Sequence, residues 1–237
     1  MTRILHLDTA TRVCSVCLST DGRPSPPAES HEEKSHATRL TIMIEQVLEA
    51  AGMKVSDLDA ISLAIGPGSY TGLRIGTSVV KGMAYGASLP VIGISTLQSL
   101  TAVAIRKMHD GEGHSPSDGS YWYCPMVDAR RMEVYRAFYN KSLEEVVPVG
   151  ADILEKESYR AILDERNVIF FGNGSNKASE IISHPNASFI HGVEASATGQ
   201  ATLALEKFKR NEFLNVAYFE PSYLKEFIAT LPKNRIF

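Results

Sequence analysis

The first twenty residues carry two short runs rich in β-branched and apolar positions. Arg3 to Asp8 (RILHLD) and Val13 to Ser19 (VCSVCLS) are joined by Thr9-Ala10-Thr11-Arg12, which predicts a strand, a tight turn and an antiparallel strand. Asp21-Gly22-Arg23-Pro24 is a second turn, and the extended segment to about Lys34 predicts a third strand. Ser35 then offers an N-cap. From His36 to Ala51 the apolar residues Leu40, Met43, Ile44, Val47, Leu48 and Ala51 recur at helical spacing, and Gly52 stands just past the last of them. Ala60 to Ile65 is a continuous apolar run bounded by Asp59 and Gly66-Pro67-Gly68, the pattern of a strand buried on both faces. A helix over Thr71 to Ser88 ends before Pro90, followed by a strand at Val91 to Ile94 and a helix from Thr96 to Lys107.

Met108 to Ser120 is rich in Gly, Ser, Asp and Pro, marking a solvated connection between lobes. Beyond it, strands are predicted at Tyr121 to Val127, Met132 to Tyr139, Val146 to Val149, Val168 to Phe171 and Ser188 to His191. Helices are predicted at Ser158 to Glu165, Lys177 to Ser183 and Ala195 to Arg210. The chain therefore reads as α/β in two lobes, 1–107 and 121–237, joined by a 108–120 loop. It has no fixed-period repeat and no heptad run, which excludes a solenoid or a coiled coil.

Composition narrows the function. A length of 237 residues with 44% hydrophobic and 22% charged residues supports a sizeable core. The formal charge of -3 offers little source of counterion-release affinity, so any role on RNA is shared with a partner. The start of the chain lacks a charged lead before an apolar run, and no stretch approaches the roughly 18 apolar residues of a membrane helix. A soluble cytoplasmic protein is expected. Cys14, Cys17 and Cys124 are an odd set that fits reduced thiols. Cys14 and Cys17 form a C-x-x-C on a strand, where residues three apart face opposite sides, so they read as structural rather than as a redox or zinc pair. His109 and His114 lie in the loop with no metal-ligand context.

Several segments carry candidate chemistry. Gly66-Pro67-Gly68-Ser69-Tyr70-Thr71-Gly72-Leu73-Arg74 joins a buried strand to a helix, where free N–H groups and the helix dipole can hold an anion. It has neither a Walker A ending nor dinucleotide glycine spacing, and a tight strand-to-helix turn explains it as well. Its helix contains Gly72, Gly76, Gly82 and Gly86, although each interior glycine costs about 1 kcal/mol against alanine. Gly72, Gly76, Val79, Met83 and Gly86 fall near one face, so they serve either the chain's own sheet or a helix of another protein. Ile42 widens an already complete apolar stripe on the first helix, which suggests a second, partner-facing side. Asp8-Thr9 either ends a strand or holds a Mg²⁺-bound phosphate. Asp128-Ala129-Arg130-Arg131 is either a hairpin turn with solvated arginines or a contact to an anion or phosphate backbone. Gly172-Asn173-Gly174-Ser175 reads first as a strand-to-helix turn.

LHLDTAT near the start, GPGSYTGLRIGTSVVKGMAYGASLPVIGIS in the middle, DARRMEVYRAFY after the loop and PSYLK near the end together resemble the TsaB family. The resemblance covers most of the chain, and GPGSYTGLR with KGMAYG is its specific part. It implies the two-lobed fold of actin, sugar kinases and Hsp70-type ATPases, with mixed five-stranded sheets flanked by helices and part of the 195–210 helix joining the first lobe. It also implies a non-catalytic subunit that pairs with TsaD in making threonylcarbamoyladenosine beside the tRNA anticodon. The ATPase TsaE acts through the complex, the chain forms a homodimer when alone, and tRNA is met indirectly. TsaD-type relatives carry His-His-Leu-Glu-Gly-His, with two metal ligands on one helix face. Here that stretch is Ser95-Thr96-Leu97-Gln98-Ser99-Leu100, with Thr96 and Leu100 in place of the histidines. The implied partner surface comprises Leu40, Met43, Ile44, Val47, Gly72, Ile75, Gly76, Val79 and Met83. No cofactor is expected in this chain. ATP or ADP belongs to the complex, with Asp8, Thr9, Gly172, Asn173 and Gly174 as the residues that would face it, though the family often has Gly-Asp-Gly at the last three.

The alternative is an ATP-dependent small-molecule kinase of the same fold, which needs a general base in the cleft that the sequence does not offer. A metallopeptidase lacks its ligands, and Ser69, Ser95 and Cys124 sit in no nucleophile motif.

Overall fold

The computed structural model describes residues 1–32, 35–110 and 121–224. β1 (Arg3–Asp8) and β2 (Cys14–Thr20) form an antiparallel hairpin with Ile4 opposite Ser19 and Leu7 opposite Val16. The predicted third strand is split into β3 (Arg23–Pro24) and β4 (Ala28–Ser30), both on β2. Pro26 and Pro27 lie in the gap and have no N–H for the ladder, which breaks this edge. After α1 (His36–Ala50), β5 (Ala60–Gly66) pairs in parallel with β1, and α2 (Tyr70–Ala87) leads to β6 (Val91–Ser95). The first sheet thus has six strands, not five, in the order β3-β2-β1-β5-β6 with β4 beside β2.

α3 (Thr96–His109) leads toward the second sheet. That sheet is built from β7 (Trp122–Asp128), β8 (Glu133–Tyr139), β9 (Glu145–Ile153), β10 (Val168–Phe171) and β11 (Ala187–Ile190), in the order β11-β10-β7-β8-β9. Its helices are shorter than the sequence pattern predicts: α4 covers Arg160–Leu163 and α5 Ser175–Ser179. β9 is longer, because it follows β8 along its full length. The predicted 195–210 helix is a 3₁₀ turn at Ala197–Gln200 followed by α6 (Ala201–Lys209). His109 ends α3, while His114 lies outside the described residues.

Alternation along β1 assigns the layers. Leu5 and Leu7 enter the core under α1 and α2 with Leu40, Ile44, Leu63 and Val80, whereas Ile4 faces Leu203 and Ala204 of α6. α3 covers one face of the second sheet through Leu97, Leu100, Val103 and Ala104, and Leu163 and Ala178 of α4 and α5 cover the other. The chain then returns over the first lobe. Leu214 N–H donates to Val91 O at 2.8 Å along the β6 edge, Phe219 enters the first core, and Ser222 N–H donates to Ile65 O at 2.7 Å. Residues 201–224 therefore pack on the first sheet, beyond the part of the helix expected there. Covering β6 in this way removes an open sheet edge.

Candidate functional site

The end of β1 and the start of α2 form one locked corner. Ser69 N–H donates to Ala10 O at 2.7 Å, and Ser69 Oγ caps α2 by accepting Gly72 N–H at 3.3 Å. A Cβ on Gly68 would run into Ala10 O, one on Gly72 into Thr9 O, and one on Gly76 into Thr9 Oγ1. Gly68, Gly72 and Gly76 thereby leave room for the β1–β2 turn to lie on the helix start. Two of the N–H groups that an anion would need there are already engaged by the chain itself.

Asp8 is fully buried. Its Oδ1 accepts Ala10 N–H at 3.0 Å, its Oδ2 has no partner, and burial, with the charge of Glu29, pushes its pKa up to about 7. Thr9 Oγ1 is likewise buried without a partner. On the face of β1 that carries Ile4, His6 joins a closed polar relay. Gln200 Nε2 donates to Leu7 O at 2.7 Å, and Ser62 Oγ donates to Gln200 Oε1 at 2.6 Å. The Ser62 hydroxyl has then used its proton, so it accepts from His6 Nδ1 at 2.6 Å, and His6 Nε2 accepts from Ser19 Oγ at 2.7 Å. The imidazole is neutral with its proton on Nδ1, and burial pulls its pKa down to about 3.

The second-sheet loop is equally committed. Gly172 has φ +94°, and a Cβ there would stand 2.5 Å from Met126 O and 2.8 Å from Leu100 Cδ2. Gly174 lies against the Val127 and Asp128 backbone, and Asn173 Oδ1 accepts Asp128 N–H at 2.9 Å. Asp8, Thr9, Gly172 and Gly174 are buried and Asn173 Oδ1 is engaged, while Asp8 Oδ2 and Thr9 Oγ1 are enclosed polar atoms left without a partner. The two groups are linked through α3, where Leu100 abuts Gly172 and Ser99 abuts Gly199 of the 3₁₀ turn. Thr96 and Leu100 are both buried, and among the described residues no group of three or more His, Cys, Asp or Glu side chains is placed to hold a metal. Cys14, Cys17 and Cys124 are buried, with pKa values raised first by burial.

The helical surface needs correction. Leu40, Met43, Ile44 and Val47 are buried in the chain's own core, and Gly72 and Gly76 face Thr9, so these six are packing positions. Ile75, Val79 and Met83 are half-buried at the margin of that core. The outward side of α1 and α2 is instead Ile42, Gly82, Gly86 and Tyr85, of which Tyr85 is 86% exposed and the two glycines have open space beyond them. Tyr218, 83% exposed, is a further aromatic that the sequence pattern does not reveal. Lys81 brings its segment to α2 by donating to Ala217 O at 3.3 Å and lying 4.7 Å over the Phe219 ring.

The fold is a two-lobed mixed α/β one of the actin-like type. YeaZ from Pseudomonas aeruginosa is similar over 94% of this chain and 100% of its own, with 29% identity and a TM-score of 0.78. An ADPNP-bound activator of 2-hydroxyisocaproyl-CoA dehydratase from Clostridium difficile shares the fold alone, at TM-score 0.52 and 9% identity over 89% of this chain and 97% of its own. The family described as "TsaD: tRNA N6-adenosine threonylcarbamoyltransferase" matches residues 30–232. The tRNA threonylcarbamoyladenosine biosynthesis protein TsaB of Escherichia coli is 38% identical over 59% of this chain, and that of Bacillus subtilis 30% identical over 76% of it. These matches span 55% of the first relative's length and 74% of the second's. The chain belongs to the TsaB branch of this TsaD-like family.

Proposed function

We propose that this chain is a non-catalytic subunit of the bacterial assembly that makes threonylcarbamoyladenosine in tRNA, and that it acts by pairing with a TsaD-type transferase. The observation that carries this reading is the start of α3. Thr96 and Leu100 occupy the places where the resemblance puts two metal-binding histidines, and Leu100 is packed against Gly172. A leucine coordinates nothing, so the chemistry falls to the partner. The outward face of α1 and α2, with Ile42, Gly82, Tyr85 and Gly86, supports the pairing, because two bare glycines one turn apart admit another helix closely. The same face joins two copies when the partner is absent. A TsaE-type ATPase acts through the complex, in the cytoplasm.

The test is the light-scattering mass of the purified chain with TsaD of the same organism, before and after Gly82→Trp plus Gly86→Trp. Both positions face open space, so the variant folds. A heterodimer with wild type that is lost with the variant is the expected result. A chain that ignores TsaD and hydrolyses ATP alone overturns the reading.

A further inference from the structure

We propose that the turn between β7 and β8 is a contact for the phosphodiester backbone of RNA, made by Arg130 and Arg131. Both residues are left-handed, with φ +70° and +49°, and they are the one consecutive pair of non-glycine residues in that region among those described. The conformation is unfavourable for any residue with a Cβ, so the surroundings must impose it. Lys177 does so from α5: its ammonium donates to Asp128 Oδ1 at 2.5 Å, Arg131 O at 2.8 Å and Glu133 O at 2.6 Å. Asn173 Oδ1 holds Asp128 N–H, and Asp128 Oδ1 also accepts Arg130 N–H at 2.9 Å.

This bracing also isolates the arginines. Lys177 neutralises Asp128 at the base of the turn, so that carboxylate does not pair with either guanidinium. Arg130 and Arg131 are exposed and have no carboxylate partner among the described residues; Arg23, Arg74 and Arg166 have no such ion pair either, but only Arg130 and Arg131 stand side by side on a braced turn. Two adjacent, unpaired guanidiniums on a rigid tip match successive phosphates, each of which a guanidinium grips through two hydrogen bonds. A polyanion suits an open tip better than a small phosphate does, because neutralising it releases condensed counterions. The choice of RNA as that polyanion rests on the function proposed above.

The experiment is tRNA binding by the heterodimer, followed by fluorescence anisotropy over a series of KCl concentrations. In Arg130→Asn plus Arg131→Gly the charges go, while both new residues suit the left-handed turn, so folding is kept and the melting midpoint rises by about 2 °C. The expected loss is about tenfold in affinity, with the slope of log K against log[salt] shallower by about 1.4 to 1.8 for two phosphate contacts. Arg23→Gln plus Arg210→Gln removes the same charge from the first lobe and leaves the slope in place. An unchanged slope in the turn variant, an equal fall in that control, or weakened heterodimer assembly with unchanged tRNA binding overturns the proposal. If no heterodimer forms with wild type, the functional reading fails instead. The same titration of the free chain then decides: a wild-type slope steeper than the variant's supports the contact, and identical or absent binding overturns it.

Discussion

The backbone N–H of Ser69 donates to the carbonyl oxygen of Ala10 at 2.7 Å, fastening the first turn of the chain to the start of a helix nearly sixty residues later. That bond sits among glycines whose missing side chains make the approach possible, and it separates the glycines of α2 into two kinds.

Gly76→Ala should destabilise the protein, and Gly82→Ala should not. A Cβ at Gly76 meets Thr9 Oγ1 and stands 3.0 Å from Leu63 Cδ1, both buried, so overpacking costs about 1 to 3 kcal/mol. At Gly82 nothing lies within 4 Å, and alanine stabilises the helix by about 1 kcal/mol. Urea unfolding of the two variants should give midpoints displaced in opposite directions from wild type.

His6 and Asp8 predict a hidden pH dependence. His6 has pKa about 3 in the fold against 6.5 unfolded, so its contribution is complete above pH 6.5 and is lost as pH falls toward 3. Asp8 has pKa about 7 against 3.8, so its contribution is complete below pH 3.8 and is lost as pH rises toward 7. Between 3.8 and 6.5 the folded pair holds one proton, on Asp8, and the unfolded pair holds one, on the histidine, so the two slopes cancel. Asp8→Asn should therefore gain stability relative to wild type as pH rises through that window, by about 1.4 kcal/mol per unit. Denaturant midpoints of both proteins at several pH values check it, and parallel curves would refute it.

Arg136 and Asp152 make the most enclosed ion pair among the described residues. Arg136 Nε and Nη2 reach the two Asp152 oxygens at 2.6 and 3.0 Å, Nη1 donates to Pro148 O at 2.6 Å, and Gly150 leaves room for the guanidinium. Arg136→Lys keeps the charge but cannot span these three acceptors, and should cost about 2 kcal/mol in chemical denaturation. Asp152→Ala should cost at least as much, since it leaves a partly buried guanidinium unpaired.

How much of this was legible in the sequence depends on the reach of each interaction. The Leu40–Leu48 stripe and the AISLAI run are local periodicities, and the elements they predict are present as α1 and β5. The third strand was blurred because its two halves hang on β2 at separate registers around Pro26 and Pro27. β9 runs past the predicted Val146 to Val149 strand because Gly150, which looks like a breaker, has the Arg136 guanidinium filling the space beside it. The glycines of α2 show as an anomaly in the sequence, but the explanation of Gly72 and Gly76 is Thr9, and no local pattern joins residues 9 and 76. Tyr218 is likewise brought to α2 only by the return of the C-terminal segment over Lys81.

The stripe on α1 yields the last prediction, because periodicity identifies its members without telling core from surface at the margins. Leu40 is fully buried beneath the first sheet, so Leu40→Asp places a carboxylate among apolar side chains and should cost about 4 kcal/mol or more, enough to unfold much of the protein. Ile42, two residues away, is 45% exposed, and Ile42→Asp should change stability by no more than about 0.5 kcal/mol. If α1 contributes to assembly, the second substitution weakens association with TsaD in a protein whose circular dichroism and melting midpoint match wild type. Association unaffected by Ile42→Asp would move the contact off α1, toward Tyr85 and the open glycines of α2.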